Sequence, residues 1–473
     1  MNHSFAQQYE ISLPEKREYS ANRFEVIGTN SDGIVTLSAG KSTHAVSLFS
    51  FNLKLKWKKQ IALKEFGFIN LGKIILTEDS AIVFFTVQSR GITLLKAAKV
   101  NLQLNIIRPA IILDTLSTST LIAVPKLNYS ISYYKKKFLV YYEDINTIDR
   151  RKLHAICIDE WLNVKWKINY QASQFIEPET ITAYVDDSVN AWFLIGENQV
   201  KNFHNDFPYN KLMMLSYHAL NNEFTTTITE ENGLILSRPI LKLDFSNRQI
   251  IICGLYSSSP GISSNGVYVN RYYIDGMLKS QKTIPFSSDL LSNLSGNIPP
   301  KRNDGFNFFH SSDLIIKNDG GLIFLTESYT VSTEAFNSVS GYGNFGGSSS
   351  LTVSYFHFDQ IIALSFSNTD SVLWNQVLHK KQQTEGDGGI FSSYYLMVAP
   401  SSLVFIYNDF SSGTNFLSAF KLNHDGKVDR TEIFNADKKG LLPVSKSGKQ
   451  ISPDTVVVPS LKKGYLQFLK LTF

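Results

Sequence analysis

Polar groups recur where the apolar runs of this chain end: Glu143 with Asp144, Glu197, Tyr256, Glu327, and Asn408 with Asp409. Carboxylates that converge on one rim can hold a cation, grip a basic peptide, or share acid and base roles at a glycosidic bond, because each task needs two or more anionic oxygens within a few ångströms. Other chemistries lack their residues. The histidines, His44, His154, His204, His218, His310, His357, His379 and His424 among them, show no metal-ligand spacing, and HExxH, GxSxG and the phosphate-binding glycine loop are absent. Cys157 and Cys253 are the only cysteines, each inside an apolar run, so a disulfide framework is excluded and both read as small core residues. No cofactor is expected.

The runs that must position these groups are strands. Four to eight β-branched and aromatic residues alternate with Gly, Asn, Asp and Ser from end to end, and only Ser287–Leu294 reads as one or two helical turns. Each unit carries a short strand a, an apolar strand b, a strand c and an outer strand d. In the first unit these fall at Phe24–Gly28, Ile34–Ala39, Ala45–Phe51 and Leu53–Ile61. Later b strands are Ala81–Val87, Phe138–Asp144, Ala191–Glu197, Gln249–Tyr256, Gly321–Glu327 and Ser402–Asp409. Strand d of the second unit is expected near Leu102–Ile107. Thr455–Pro459 and Gly464–Phe473 open an eighth unit without c and d, and Tyr9–Pro14 has the alternation to supply an outer strand.

The fold class is therefore all-β: a β-propeller of four-stranded antiparallel blades, eight favoured and seven the alternative, closed by N- and C-terminal strands. Residues 1–8 are expected to be an extension or signal-peptide remnant, with Ala6 at the cleavage position, and 9–473 one propeller domain. That leader implies a periplasmic or outer-membrane-associated protein, or a cytoplasmic one if Met1 is the authentic start.

Trp57, Trp166 and Trp374 occupy equivalent places on strand d, in NLKLKW, DEWLNVKW and SNTDSVLW. This resembles the pyrroloquinoline-quinone-like propellers in architecture, although the Thr-Gly expected before each Trp is missing. A second likeness, carried by Cys253-Gly254-Leu255-Tyr256-Ser257, Trp374…Lys381-Gln382, Gly388-Gly389…Ser392-Ser393 and Tyr407-Asn408-Asp409, is to exported Bacteroidota proteins. It implies an accessory factor of an outer-membrane or secretion complex.

Antiparallel order places the b–c loops and d–a connections on one face, which holds the long segments. Partner contacts are expected there from Glu327, Tyr342, Phe345, His379, Lys380, Lys381, Asp387, Asn408 and Asp409, with Glu143, Glu197 and Tyr256 on the channel rim. Glu327–Ser354 and His379–Phe391 are the principal stretches, and Gly341–Ser350 reads as a mobile loop. Phe203, Phe207, Tyr209, Phe306, Phe308, Phe309, Tyr355 and Phe356 add aromatic surface suited to a protein or glycan. Charge is scattered, 46 Lys and Arg against 41 Asp and Glu, so no nucleic-acid footprint forms. No apolar run is long enough for a membrane-spanning helix. The expected function is a non-enzymatic protein-binding or scaffolding module engaging an envelope complex. The alternatives are a carbohydrate-active enzyme using the rim carboxylates and a degenerate quinone- or cation-binding propeller.

Overall fold

Strands pair with their neighbours in sequence, four to a unit, except in the last unit, where an N-terminal strand joins C-terminal ones. The computed structural model describes residues 8–17, 21–40, 44–61, 63, 65, 67–89, 91–117, 125–143, 151–175, 177–198, 208–259, 263–294, 306–339, 348–410 and 413–473. Among these, eight four-stranded antiparallel units follow one another, the fourth and fifth bridged by the short strand Ile235–Leu236. The first unit is Ala21–Asn30, Gly33–Gly40, His44–Phe49 and Leu55–Gln60.

Side-chain alternation closes the ring. Along the second strand of sheet one, Ile34 packs toward sheet eight with Phe49, Val457 and Phe468, whereas Val35, Leu37 and Ala39 pack toward sheet two with Ile74, Val83 and Phe85. A strand buried on both faces must be apolar at consecutive positions, and Gln249–Ser257 is buried throughout. The same exchange repeats at every junction, from Phe84 against Phe138 through Ile406 against Val456. Each buried Val, Leu, Ile or Phe contributes about 1.5–3 kcal/mol, so eight such interfaces hold the ring without a central core. First strands approach one another from sheet to sheet, and outer strands such as Glu223–Glu230 face water.

The eighth sheet corrects the expected assignment. Lys449–Ser452 is its first strand, Thr455–Lys462 its second and Tyr465–Thr472 its third, so the run near the C-terminus supplies b and c rather than a and b. The fourth strand is Gln8–Ile11, paired antiparallel to Tyr465–Thr472, with Glu15–Lys16 continuing the pairing. Ser12 Oγ accepts from the Phe468 N–H at 2.9 Å between those two stretches.

Two further expectations change. The outer strand of sheet two is Ile106–Ser117, because Asn101–Asn105 is consumed by a turn in which Asn101 Oδ1 accepts from the Gln103 and Asn105 N–H groups. The stretch after Glu327 is not a loop: Leu322–Val339 and Ser348–Phe366 extend both middle strands of sheet six into a long hairpin, whose register shifts between Glu327 and Tyr329 and then runs unbroken to Val339. Residues 340–347, with Tyr342 and Phe345, lie outside the described residues.

The turns before the three tryptophans share one geometry. Leu53, Leu162 and Asp370 each stand four residues before the Trp at φ 55°, 63° and 61°, the left-handed region that favours glycine. Leu53 and Leu162 offset that strain by burial, and Asp370 by a salt link described below. Trp166 Nε1 then donates to Val189 O of the next sheet at 2.7 Å, and Trp374 Nε1 to His424 O at 3.1 Å. Trp166 is a docking residue between sheets.

Candidate functional site

At the long-loop end, sheets three and four part to form a cleft of about 280 Å³. Glu143 ends the strand Lys137–Glu143, and Arg151 precedes the strand Lys152–Asp159. Glu179, Thr180 and Ile181 lie on the strand Pro178–Val185, and Arg238 comes from the connection that enters sheet five. Antiparallel order alone puts all of these at one edge. Lys126, Asn128 and Tyr141 complete the lining.

Both carboxylates are fixed. Glu143 Oε1 accepts from the Thr180 N–H, and its Oε2 stands 3.4 Å from Arg151 Nη1. Glu179 Oε2 accepts from the Tyr209 hydroxyl at 2.8 Å, and its Oε1 accepts from Arg238 Nη2. Burial, then the adjoining Glu179 charge, raises the Tyr209 phenol far above its usual range, so it stays a donor. The arginines keep water access, with side chains 38% and 68% exposed for Arg151 and Arg238. Exposed ion pairs of this kind contribute about 0.2–1 kcal/mol, so an entering anion competes for the guanidinium N–H groups at little cost. The cleft thus offers two carboxylates as hydrogen-bond and proton acceptors and three cationic side chains to orient an acidic ligand.

Glu143 is the residue expected on the rim that lies in this cleft. Glu197 is buried at its strand end, and its charge contributes to keeping Lys211 protonated after the nearer Glu230. Tyr256 is buried between sheets four and five. Asp144 lies outside the described residues. Glu197 and Glu327 do not line this cleft.

Four of the nine expected partner-binding residues are buried in the fold. Lys380 Nζ lies 2.7 Å from Glu327 Oε1 and donates to Phe358 O and Gln382 Oε1, each at 2.8 Å, with its side chain entirely out of water. Ser393 Oγ donates to Glu327 Oε2 at 2.5 Å, and Gln382 Nε2 reaches Asn408 O at 2.6 Å. Asn408 Nδ2 binds Phe391 O and Pro443 O. Asp409 is paired with Arg430. Lys380, Asn408, Asp409 and Glu327 are thus buried, which corrects their expected display to a partner, whereas His379 and Lys381 are exposed and Asp387 half-buried. Tyr209 and Phe309 are likewise buried rather than aromatic surface. Phe203 and Phe207 lie outside the described residues.

Glu179 and Arg238 are missed by the sequence reading, which ranked strand-b ends and long loops; the available signal was a charged residue at the start of a first strand on the same rim. Among the described residues no group of three or more His, Cys, Asp and Glu is arranged to hold a metal, and no helix is long and apolar enough to cross a membrane. Cys157 and Cys253 are buried thiols, and burial pushes Cys157 up to about 12.

No family model matches the chain, and no curated protein matches it, so neither sequence likeness noted above is supported by a relative. Solved structures do match. Dipeptidyl peptidase 4 of Porphyromonas gingivalis aligns at 9% identity and TM-score 0.43 over 94% of this chain and 59% of its own. A puromycin hydrolase aligns at 8% identity and TM-score 0.38 over 86% of this chain, which spans about half (52%) of that enzyme. An ulvan lyase bound to a sulfated, glucuronate-containing saccharide aligns at 8% identity and TM-score 0.38, over 83% and 90% of the two chains. Similarity of this degree says nothing of substrate.

Proposed function

We propose that this chain is a carbohydrate-active propeller that seats an acidic saccharide in the Glu143–Glu179 cleft. One observation carries the reading: two carboxylates from adjacent sheets share a cleft, and each is tethered to an arginine whose side chain remains partly in water. Arginine grips a sugar carboxylate through two parallel N–H bonds, and release of Glu143 or Glu179 from its arginine then frees a carboxylate beside the bound ring. In that arrangement one carboxyl, once it has taken a proton from solvent, gives it to the leaving oxygen, while the other carboxylate takes a proton from the attacking water. The test is incubation of the protein with uronate-containing and neutral oligosaccharides, with chromatographic detection of shortened products. Cleavage of the acidic set, lost in Glu143→Gln and Glu179→Gln, supports the reading; wild-type cleavage that survives both changes overturns it.

A second reading rests on the hairpin of sheet six. Its strands Leu322–Val339 and Ser348–Phe366 continue well past the sheet, with Val331 46% exposed, and offer an arm to a protein partner of the cell envelope. Pull-down from envelope extracts with the intact chain and with the hairpin shortened at 332–355 tests it. Recovery of the same proteins by both forms counts against the arm.

A further inference from the structure

At the opposite end of the ring, where the short turns lie, sheets five and six line a second, open cavity of about 410 Å³. The geometry points to a binding site for a small oxyanion, sulfate or phosphate, free or carried as an ester on a larger ligand. It stands independently of the saccharide cleft.

Arg271 lines this cavity and is nearly removed from water, its side chain 3% exposed. Nε and Nη2 go to Asp370, at 2.9 and 3.1 Å from Nε to the two oxygens and 2.6 Å from Nη2 to Oδ1. Nη1 is buried and has no acceptor among the described residues. A guanidinium nitrogen without an acceptor inside a protein is costly, and both oxygens of Asp370 are already committed. The donor therefore calls for an acceptor from outside the chain.

Two lysines supply the charge. Arg271 stands opposite Ser280 in the ladder, and Tyr272 opposite Leu278, so Lys279 is the extra residue of a bulge and its direction is reset there. Both lysines line the cavity. Lys279 Nζ has Gln249 Oε1 at 3.4 Å, and Lys282 Nζ donates to Thr369 O, which leaves each ammonium with unused N–H groups. Against these stand Asp370, neutralised by Arg271, and Asp319, one oxygen of which accepts from the Gly321 N–H. Asp244 lies close enough to feel the Arg271 charge, but its oxygens are taken by Asn247 and Gln249. Three cationic side chains thus face two carboxylates around the cavity, and a tetrahedral oxyanion presents acceptors for their unused N–H groups.

The test titrates the intact protein with sodium sulfate and with sodium phosphate, sodium chloride holding ionic strength constant, and reads heat of binding and the unfolding midpoint. Saturable binding of either oxyanion, with a rise in midpoint, is expected. Lys279→Gln with Lys282→Gln changes two exposed residues, and the doubly substituted chain should unfold as wild type without anion yet bind at least tenfold more weakly. Absence of saturable binding to the wild type overturns the site, and so does equal affinity in the double variant.

Discussion

Lys380 Nζ stands 2.7 Å from Glu327 Oε1, with both side chains almost wholly removed from water. A lone charge left behind in such a place is far worse than the intact pair, so Lys380→Met should destabilise the ring by about 3–5 kcal/mol. Adding Glu327→Gln should return part of that loss. Denaturant unfolding of the single and double variants measures the difference; additive losses would show that the two side chains do not act as a pair.

The acid limb of stability should depend on Asp159. Burial alone would raise its carboxyl, but Lys165, the Asn163 N–H and side chain and the Trp161 N–H outweigh it and hold the group at about 2. A carboxylate whose folded value lies below its unfolded value stabilises above the unfolded value, and that contribution disappears as pH falls through the folded one. Between about pH 4 and pH 2, wild-type stability should fall more steeply than that of Asp159→Asn, as read by unfolding midpoints across that range.

Closure of the ring should depend on the N-terminal strand. Ser12 Oγ accepts from the Phe468 N–H, and its own N–H donates to Phe468 O, each at 2.9 Å. Ser12→Ala should cost about 1–3 kcal/mol by leaving the buried Phe468 N–H without its partner. Removing residues 8–16 exposes the edge of Tyr465–Thr472 and should produce concentration-dependent association, measured by light scattering, since an open strand edge is a pairing template. A monomeric shortened chain of unchanged midpoint would contradict the clasp.

Docking of adjacent sheets offers a smaller, cleaner test. Trp166→Phe keeps most of the apolar contact but removes the donor to Val189 O, and a loss of about 0.5–1.5 kcal/mol is expected in thermal unfolding.

Much of the fold was legible in the sequence because a propeller strand buried on both faces must be apolar along its length. Ile34–Ala39 and Gly33–Gly40 differ by one residue at each end for that reason. The hairpin past Glu327 was hidden because its polar Ser, Thr and Asn residues carry no burial signal, and only pairing with the partner strand stabilises them as strands. The first strand of sheet eight, KQIS, is too short to show a period. The site was less legible. Lys380 reads as a surface charge until Glu327 is found across from it, and Glu179 meets Arg238 across 59 residues of chain, a distance that no local pattern spans.

The central claim is that the Glu143–Glu179 cleft takes an acidic saccharide through Arg151 and Arg238. Calorimetric titration of the intact protein and of Arg151→Ala with Arg238→Ala, using a uronate trisaccharide and its neutral counterpart, tests this most directly. The account predicts saturable binding of the acidic trisaccharide, at least tenfold tighter than the neutral one, and loss of that preference in the double variant. Equal affinity for both sugars, or a preference that survives removal of both arginines, would contradict it.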